Sequence, residues 1–162
     1  MNKITIKQLQ DEDFVNYKKP CMFIGFPHCS FKCEKDCGIK CCQNSELFNS
    51  PNIQLYISTI VQRYVNNNIT SAIVMGGLEP FDTEEDLINL IFELRKETND
   101  DIIIYTGYNK EEIQYRESYK KIVNFKNIII KFGRFIPNQE KHFDQVLGVN
   151  LASDNQYAEK VS

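Results

Sequence analysis

The chain of 162 residues is short of several things, and each shortage narrows what it is. No run approaches the roughly 20 consecutive apolar residues that a membrane-spanning helix needs, so no membrane partner is expected. The N-terminus, MNKITIKQLQDEDF, lacks the apolar core of a secretory signal. Basic residues do not outnumber acidic ones: 19 Lys and Arg stand against 22 Asp and Glu, a net charge of -3. A broad nucleic-acid-binding face is therefore not expected. Cysteine is missing from everything after Cys42, about three quarters of the chain, which argues against a disulfide framework spread through a small secreted domain. Internal repeats, low-complexity tracts and linkers are also missing. A hydrophobic share of 42% and a charged share of 25% leave an ordinary globular composition and the length of a single domain, 1–162.

What is present is concentrated. All six cysteines lie between Cys21 and Cys42. With no signal sequence, the expected setting is a reducing cytoplasm, where clustered thiols point to a metal or to catalysis. Cys21 opens an apolar run and reads as a small core residue. Cys29, Cys33, Cys37, Cys41 and Cys42 fall in 27–50, a segment with little hydrophobic periodicity that reads as a long functional loop. Thiolates are soft ligands, and the spacings suit a structural zinc site or an iron–sulfur cluster alike.

Around that loop the pattern alternates. Met22 to Phe26, Ala72 to Met75, Asp101 to Tyr105 and Ile128 to Ile130 are continuous apolar runs, as in strands buried on both faces. Between them lie helical patterns: one from Pro51, with Ile53, Ile57, Ile60, Val61 and Tyr64, closed by Asn66-Asn67-Asn68; one after Thr83, with Leu87, Leu90, Ile91 and Leu94; and a shorter one from Lys110 to about Tyr119. Alternating strands and helices predict an α/β fold with a mostly parallel sheet. The polar segment 137–162 carries no clear pattern. In such sheets ligands bind beyond the carboxyl ends of the strands. Three of those ends lead into the least ordinary sequence of the chain: the cysteine loop, Gly76-Gly77 and Thr106-Gly107. They are expected to share one rim.

Cys29-Ser-Phe-Lys-Cys33, placed directly after an apolar strand, resembles the start of the radical S-adenosylmethionine cluster motif, C-x-x-x-C-x-x-C. The last interval departs from it: position 36 is Asp36, and the candidates for the third thiolate are Cys37, Cys41 and Cys42. Cys42-Gln43-Asn44 matches the asparagine that commonly follows the third cysteine in the short activating enzymes of this superfamily, so the resemblance favours Cys29, Cys33 and Cys42 as the metal ligands, with Glu34 to Cys41 as an insertion. Val74 to Pro80 resembles the superfamily's G-G-E motif with Leu78 as an extra residue. Tyr105-Thr106-Gly107-Tyr108 with Glu111-Glu112-Ile113, then Lys131-Phe132-Gly133-Arg134-Phe135, then Ser153-Asp154-Asn155-Gln156, are similar in order and spacing to segments of the anaerobic ribonucleoside-triphosphate reductase activating proteins, a glycyl-radical activating family.

That resemblance implies a partial βα barrel or open sheet that holds a [4Fe-4S] cluster by three thiolates. The fourth iron is left to the amino and carboxylate groups of S-adenosyl-L-methionine. Reductive cleavage of that cofactor would yield a 5′-deoxyadenosyl radical, used to take a hydrogen from a glycine of a partner, the anaerobic reductase. A low-potential donor such as flavodoxin or ferredoxin is implied. Gly76, Gly77 and Glu79 would receive the methionine ammonium, and Cys41 and Gln43 would touch the adenine. Tyr105 and Thr106 end a strand at the same rim, and His28 precedes the first cluster cysteine. The rival readings are a radical enzyme acting on another peptide or small molecule, and a non-enzymatic zinc-binding interaction module.

Overall fold

The apolar runs become the parallel centre of a six-stranded mixed sheet in a computed structural model that describes residues 2–28 and 45–162. The strands are β1 (Lys3–Ile6), β2 (Gln8–Asp13), β3 (Cys21–Phe26), β4 (Ile53–Tyr56), β5 (Ala72–Gly77), β6 (Asp101–Tyr105), β7 (Ile128–Phe132), β8 (His142–Asp144), β9 (Val149–Leu151) and β10 (Tyr157–Lys160). The helices are α1 (Ser45–Asn49), α2 (Ile57–Val65), α3 (Glu84–Arg95), α4 (Lys110–Ile113) and α5 (Glu117–Ile122), with a 3₁₀ turn at Pro80–Thr83. The sheet order is β10-β7-β6-β5-β3-β2. β3, β5, β6 and β7 run parallel, while β2 and β10 pair antiparallel on the two edges.

Both faces of the central strands are covered, which is why those strands read as unbroken apolar runs. Side chains alternate between faces with period two. Met22, Ile24 and Phe26 of β3, Ile73 and Met75 of β5, Ile102 and Ile104 of β6 and Ile128 and Ile130 of β7 pack with Ile60, Leu87, Leu90, Leu94 and Ile122 from the helices. Cys21, Ala72, Val74, Ile103 and Ile129 point the other way, against Tyr17, Leu147 and Leu151. At roughly 1.5–3 kcal/mol for each fully buried large apolar side chain, this two-faced burial dominates the stabilisation of the fold.

Two expectations need correction, and the unassigned segment gains its structure. The helix expected from Pro51 begins at Ile57: Ile53 to Tyr56 is strand, paired antiparallel with β1 so that Ile53 faces Ile6 and Tyr56 faces Lys3. Its four-residue step from Ile53 to Ile57 mimics a helix, but Ile53 is exposed and the buried helical stripe is Ile57, Ile60, Val61 and Tyr64. The helix expected from Lys110 to Tyr119 is two short pieces. Asn109 and Glu112 form a capping box for the first, and the chain turns at Gln114 to Arg116 before the second. The segment from 137 onward holds three strands, β8 to β10, and β10 completes the sheet edge beside β7. Among the described residues no helix is long and apolar enough to cross a membrane.

Candidate functional site

The carboxyl ends of β3, β5 and β6 meet at one rim, and Glu79 joins them. Leaving β5, the chain passes through Leu78 and bends into the 3₁₀ turn, where Glu79 is the N-cap and Pro80 the first residue. The Glu79 backbone N–H donates to the His28 carbonyl at 2.6 Å, tying the turn to the segment that leaves β3. Its carboxylate accepts from the Phe81 N–H on Oε2 at 3.0 Å and from the Gly107 N–H on Oε1 at 2.7 Å. The Thr106 hydroxyl lies 3.0 and 2.9 Å from the two oxygens, and itself accepts the Tyr108 N–H at 3.0 Å. Glu79 is 6% exposed, and burial lifts its carboxyl from the ordinary 4.5 to about 7 against the opposing pull of these hydrogen bonds.

Lys131, on the neighbouring strand β7, is the second buried charge at this end of the sheet, also 6% exposed. Its ammonium donates to the Gly133 carbonyl at 2.9 Å and stands 5.8 Å above the centre of the Tyr105 ring. Burial pushes it down to about 8, with the charge of Glu79 pulling the other way. The sequence signal was visible: a lysine inside the run Ile128-Ile129-Ile130-Lys131-Phe132 demands a partner once the strand is buried.

The paired glycines sit where backbone approaches backbone. Gly76 lies opposite Gly25 of β3, between the Phe23 ring and Tyr105. Gly77 has φ +79°, a left-handed conformation that glycine adopts freely. A β-carbon there would stand 2.8 Å from Gly25 Cα and 2.8 Å from Leu47 Cδ2 of α1. The other two resemblance segments form one unit beyond β7. Gln156 accepts the Ala152 and Ser153 N–H groups and donates to the Gly133 carbonyl, and Asn155 donates to the Arg134 carbonyl. Arg134 pairs with Glu112 and lies 6.0 Å from the Tyr108 ring centre.

Of the assigned site residues, Gly76, Gly77 and Glu79 are thus brought to one rim with Thr106, and the chain enters the cysteine loop from that rim. Cys29, Cys33, Cys41, Cys42 and Gln43, with Cys37, lie outside the described residues. Cys21 is 0% exposed, its thiol bonded to the Asp13 carbonyl at 3.4 Å, and burial pushes its pKa up to about 12. It is held as a neutral core residue, so the thiolates available to a metal are the five between Cys29 and Cys42. Among the described residues no group of three or more His, Cys, Asp or Glu is placed to hold a metal ion. The five clustered thiols make a soft donor set, which by its chemistry fits zinc or iron with sulfide.

No curated protein matches the chain. Residues 21–157 match the protein family described as "4Fe-4S single cluster domain". The match runs from the first residue of β3 to the first residue of β10 and takes in the whole parallel core, the cysteine loop and the rim. The chain belongs to this family of iron–sulfur proteins.

Proposed function

We propose that the protein is a radical S-adenosylmethionine enzyme of the glycyl-radical activating type, acting on an anaerobic ribonucleotide reductase. Cys29, Cys33 and Cys42 would hold the [4Fe-4S] cluster, and S-adenosyl-L-methionine would lie over the Gly76–Gly77 strand end. When bound, the two together supply an electron and a cleavable sulfonium, hence an adenosyl radical. The sheet would be the partial barrel of that superfamily, its parallel strands β3, β5, β6 and β7 presenting their carboxyl ends to the ligand.

The observation that carries the reading is the convergence at that rim: one residue, Glu79, is bonded to the His28 segment that feeds the cysteine loop and to the Thr106–Gly107 end of β6, directly beside the paired glycines. The family match supplies the cluster. The chain's own contribution is to fix the spacing of the strand ends. Gly76 and Gly77 let the end of β5 close against β3, Tyr105 and Leu47 without a β-carbon in the way, and buried Lys131 is satisfied by the Gly133 carbonyl at this end of the sheet.

The test is anaerobic reconstitution followed by metal and sulfide analysis, then incubation with dithionite and S-adenosylmethionine. About four irons with sulfide, and dithionite-dependent 5′-deoxyadenosine, are expected for one cubane cluster. One tightly held zinc and no deoxyadenosine would end the proposal. Electron paramagnetic resonance after adding the purified reductase tests the partner: a glycyl radical signal is expected, and deoxyadenosine without such a signal moves the enzyme to another substrate. The ligand set has its own test, iron content of single alanine variants, where a full cluster in Cys42→Ala and a lost one in Cys37→Ala would reassign the third thiolate.

A further inference from the structure

The Glu79 carboxylate is already committed inside the protein. An ionised carboxylate offers about four acceptor positions. Two are taken by the Gly107 and Phe81 N–H groups, and a third by the one hydrogen of the Thr106 hydroxyl. That hydroxyl is pinned in turn by accepting from Tyr108. A ligand ammonium reaching this carboxylate would have to open a buried, nearly filled shell, which is expensive where unpaired donors are left without water. Leu78 stands between the glycines and the acid. The acid is the N-cap of the Pro80–Thr83 turn, where its first duty is to the Phe81 N–H.

We infer that Glu79 is a positioning residue: it fixes the spacing between the Gly76–Gly77 strand end, the His28 segment and the Thr106–Gly107 strand end, and it influences the nucleotide through that spacing and not by contact. The clause on the nucleotide rests on the proposed function; the fixing of the three strand ends does not.

The experiment uses the full chain with Glu79→Gln, Thr106→Val and the double variant, in two arms. The first is thermal unfolding of the reduced, cluster-free protein at pH 5.5, below the range in which burial of a charged Glu79 costs the wild type stability. Each single variant is expected to lower Tm by about 4 °C or more, from the cost of leaving a buried donor unpaired. The double variant should fall clearly short of the sum, because both changes break one shared network. The second is equilibrium dialysis of S-adenosylmethionine against the anaerobically reconstituted protein. Both single variants are expected to weaken binding by similar factors, about 3- to 10-fold, although Thr106→Val keeps the carboxylate. If Glu79→Gln unfolds like wild type and loses binding while Thr106→Val binds normally, Glu79 is a direct ligand and the inference is overturned. If wild-type protein binds no S-adenosylmethionine, the proposed function fails, and the unfolding arm alone decides the latch: unchanged or fully additive Tm values overturn it, a shared loss sustains it.

Discussion

Gly77 presses on Gly25 so closely that no side chain fits between them: a β-carbon on Gly77 would stand 2.8 Å from the Gly25 Cα. The contact joins the end of β5 to the strand that feeds the cysteine loop. Gly77 is also left-handed, at φ +79°, which an alanine adopts only at a cost. Steric overlap with backbone and conformational strain act together here, so Gly77→Ala is expected to destabilise the chain by roughly 3 kcal/mol or more. Gly107 is the control. A β-carbon there meets Glu79 Oε1 at 3.6 Å and Arg134 Cγ at 3.7 Å, ordinary contact distances. Gly107→Ala keeps the N–H that Glu79 needs and should change stability by less than about 1 kcal/mol. Urea midpoints of the two variants decide, and equal midpoints would refute the packing argument.

Glu79 gives stability a pH dependence of known sign. Its carboxyl titrates near 7 in the folded chain and near 4.5 when exposed. Between those values the folded state holds a proton that the unfolded state releases. Stability contributed by this group is therefore full below about 4.5 and is lost as pH rises through about 7, by about 3 kcal/mol at most. The charged and titratable groups around it are Asp82 on its own turn, Tyr108 and Arg134 beyond β6 and β7, and Lys131 on β7. Lys131 works in the other window, above about 8, where loss of its buried charge restores stability. Wild type measured against Glu79→Gln should thus lose stability between pH 5 and pH 7.5. A difference that stays flat over that interval would show that the carboxylate is ionised throughout.

The sixth cysteine separates structure from ligation. Cys21 is enclosed at the start of β3 and faces Ala72 across the β3–β5 pair. Cys21→Ala removes only a buried sulfur and should cost about 1 kcal/mol with iron content unchanged. Cys29→Ala and Cys33→Ala should lose the cluster. Iron and sulfide counts on the three reconstituted variants test this, and loss of iron from Cys21→Ala alone would return that thiol to the ligand set.

The parallel core was legible because β3, β5, β6 and β7 are covered on both faces, and full burial writes itself as apolar runs. The stripe Leu87, Leu90, Ile91, Leu94 was legible for the same reason: one face of α3 is entirely core. β4 was hidden by the opposite circumstance. It belongs to a two-stranded ribbon with β1, is mostly exposed, and carries Ile53 at a spacing that mimics the helix beyond it. β8 to β10 are polar strands of three or four residues fixed by specific side chains, such as the Asp144 carboxylate accepting the Ala158 N–H, and such bonds have no periodic signature. At the rim, Gly76, Gly77 and Glu79 were visible as an odd cluster at a strand end. That the acid turns inward to Thr106 goes with its place as N-cap of the 3₁₀ turn, which appears only when that turn is seen.

The closing segment of the chain is held to the turn after β7 by Gln156, and that prediction is the most local. Its side-chain oxygen accepts the Ala152 N–H at 3.1 Å and the Ser153 N–H at 3.2 Å, and its Nε2 donates to the Gly133 carbonyl at 3.2 Å. Gly133 itself sits at φ +105°, with the Asn155 Nδ2 3.1 Å from where a β-carbon would lie, so the turn has no slack. Gln156→Leu keeps the volume but strands two N–H groups, which costs about 2–4 kcal/mol. The Gly133 carbonyl keeps its bond from Lys131 and adds nothing to that loss. Gln156→Glu still accepts both N–H groups but turns an oxygen toward the Gly133 carbonyl, a repulsion that the Lys131 ammonium on the same carbonyl offsets in part, so it should fall between wild type and Gln156→Leu. Urea unfolding orders the three proteins. Limited proteolysis adds the location, because a chain that loses this clasp should be cut first between Ile136 and Tyr157, while the parallel core stays intact. Equal stability of Gln156→Leu and Gln156→Glu would mean that the two backbone donors find other acceptors.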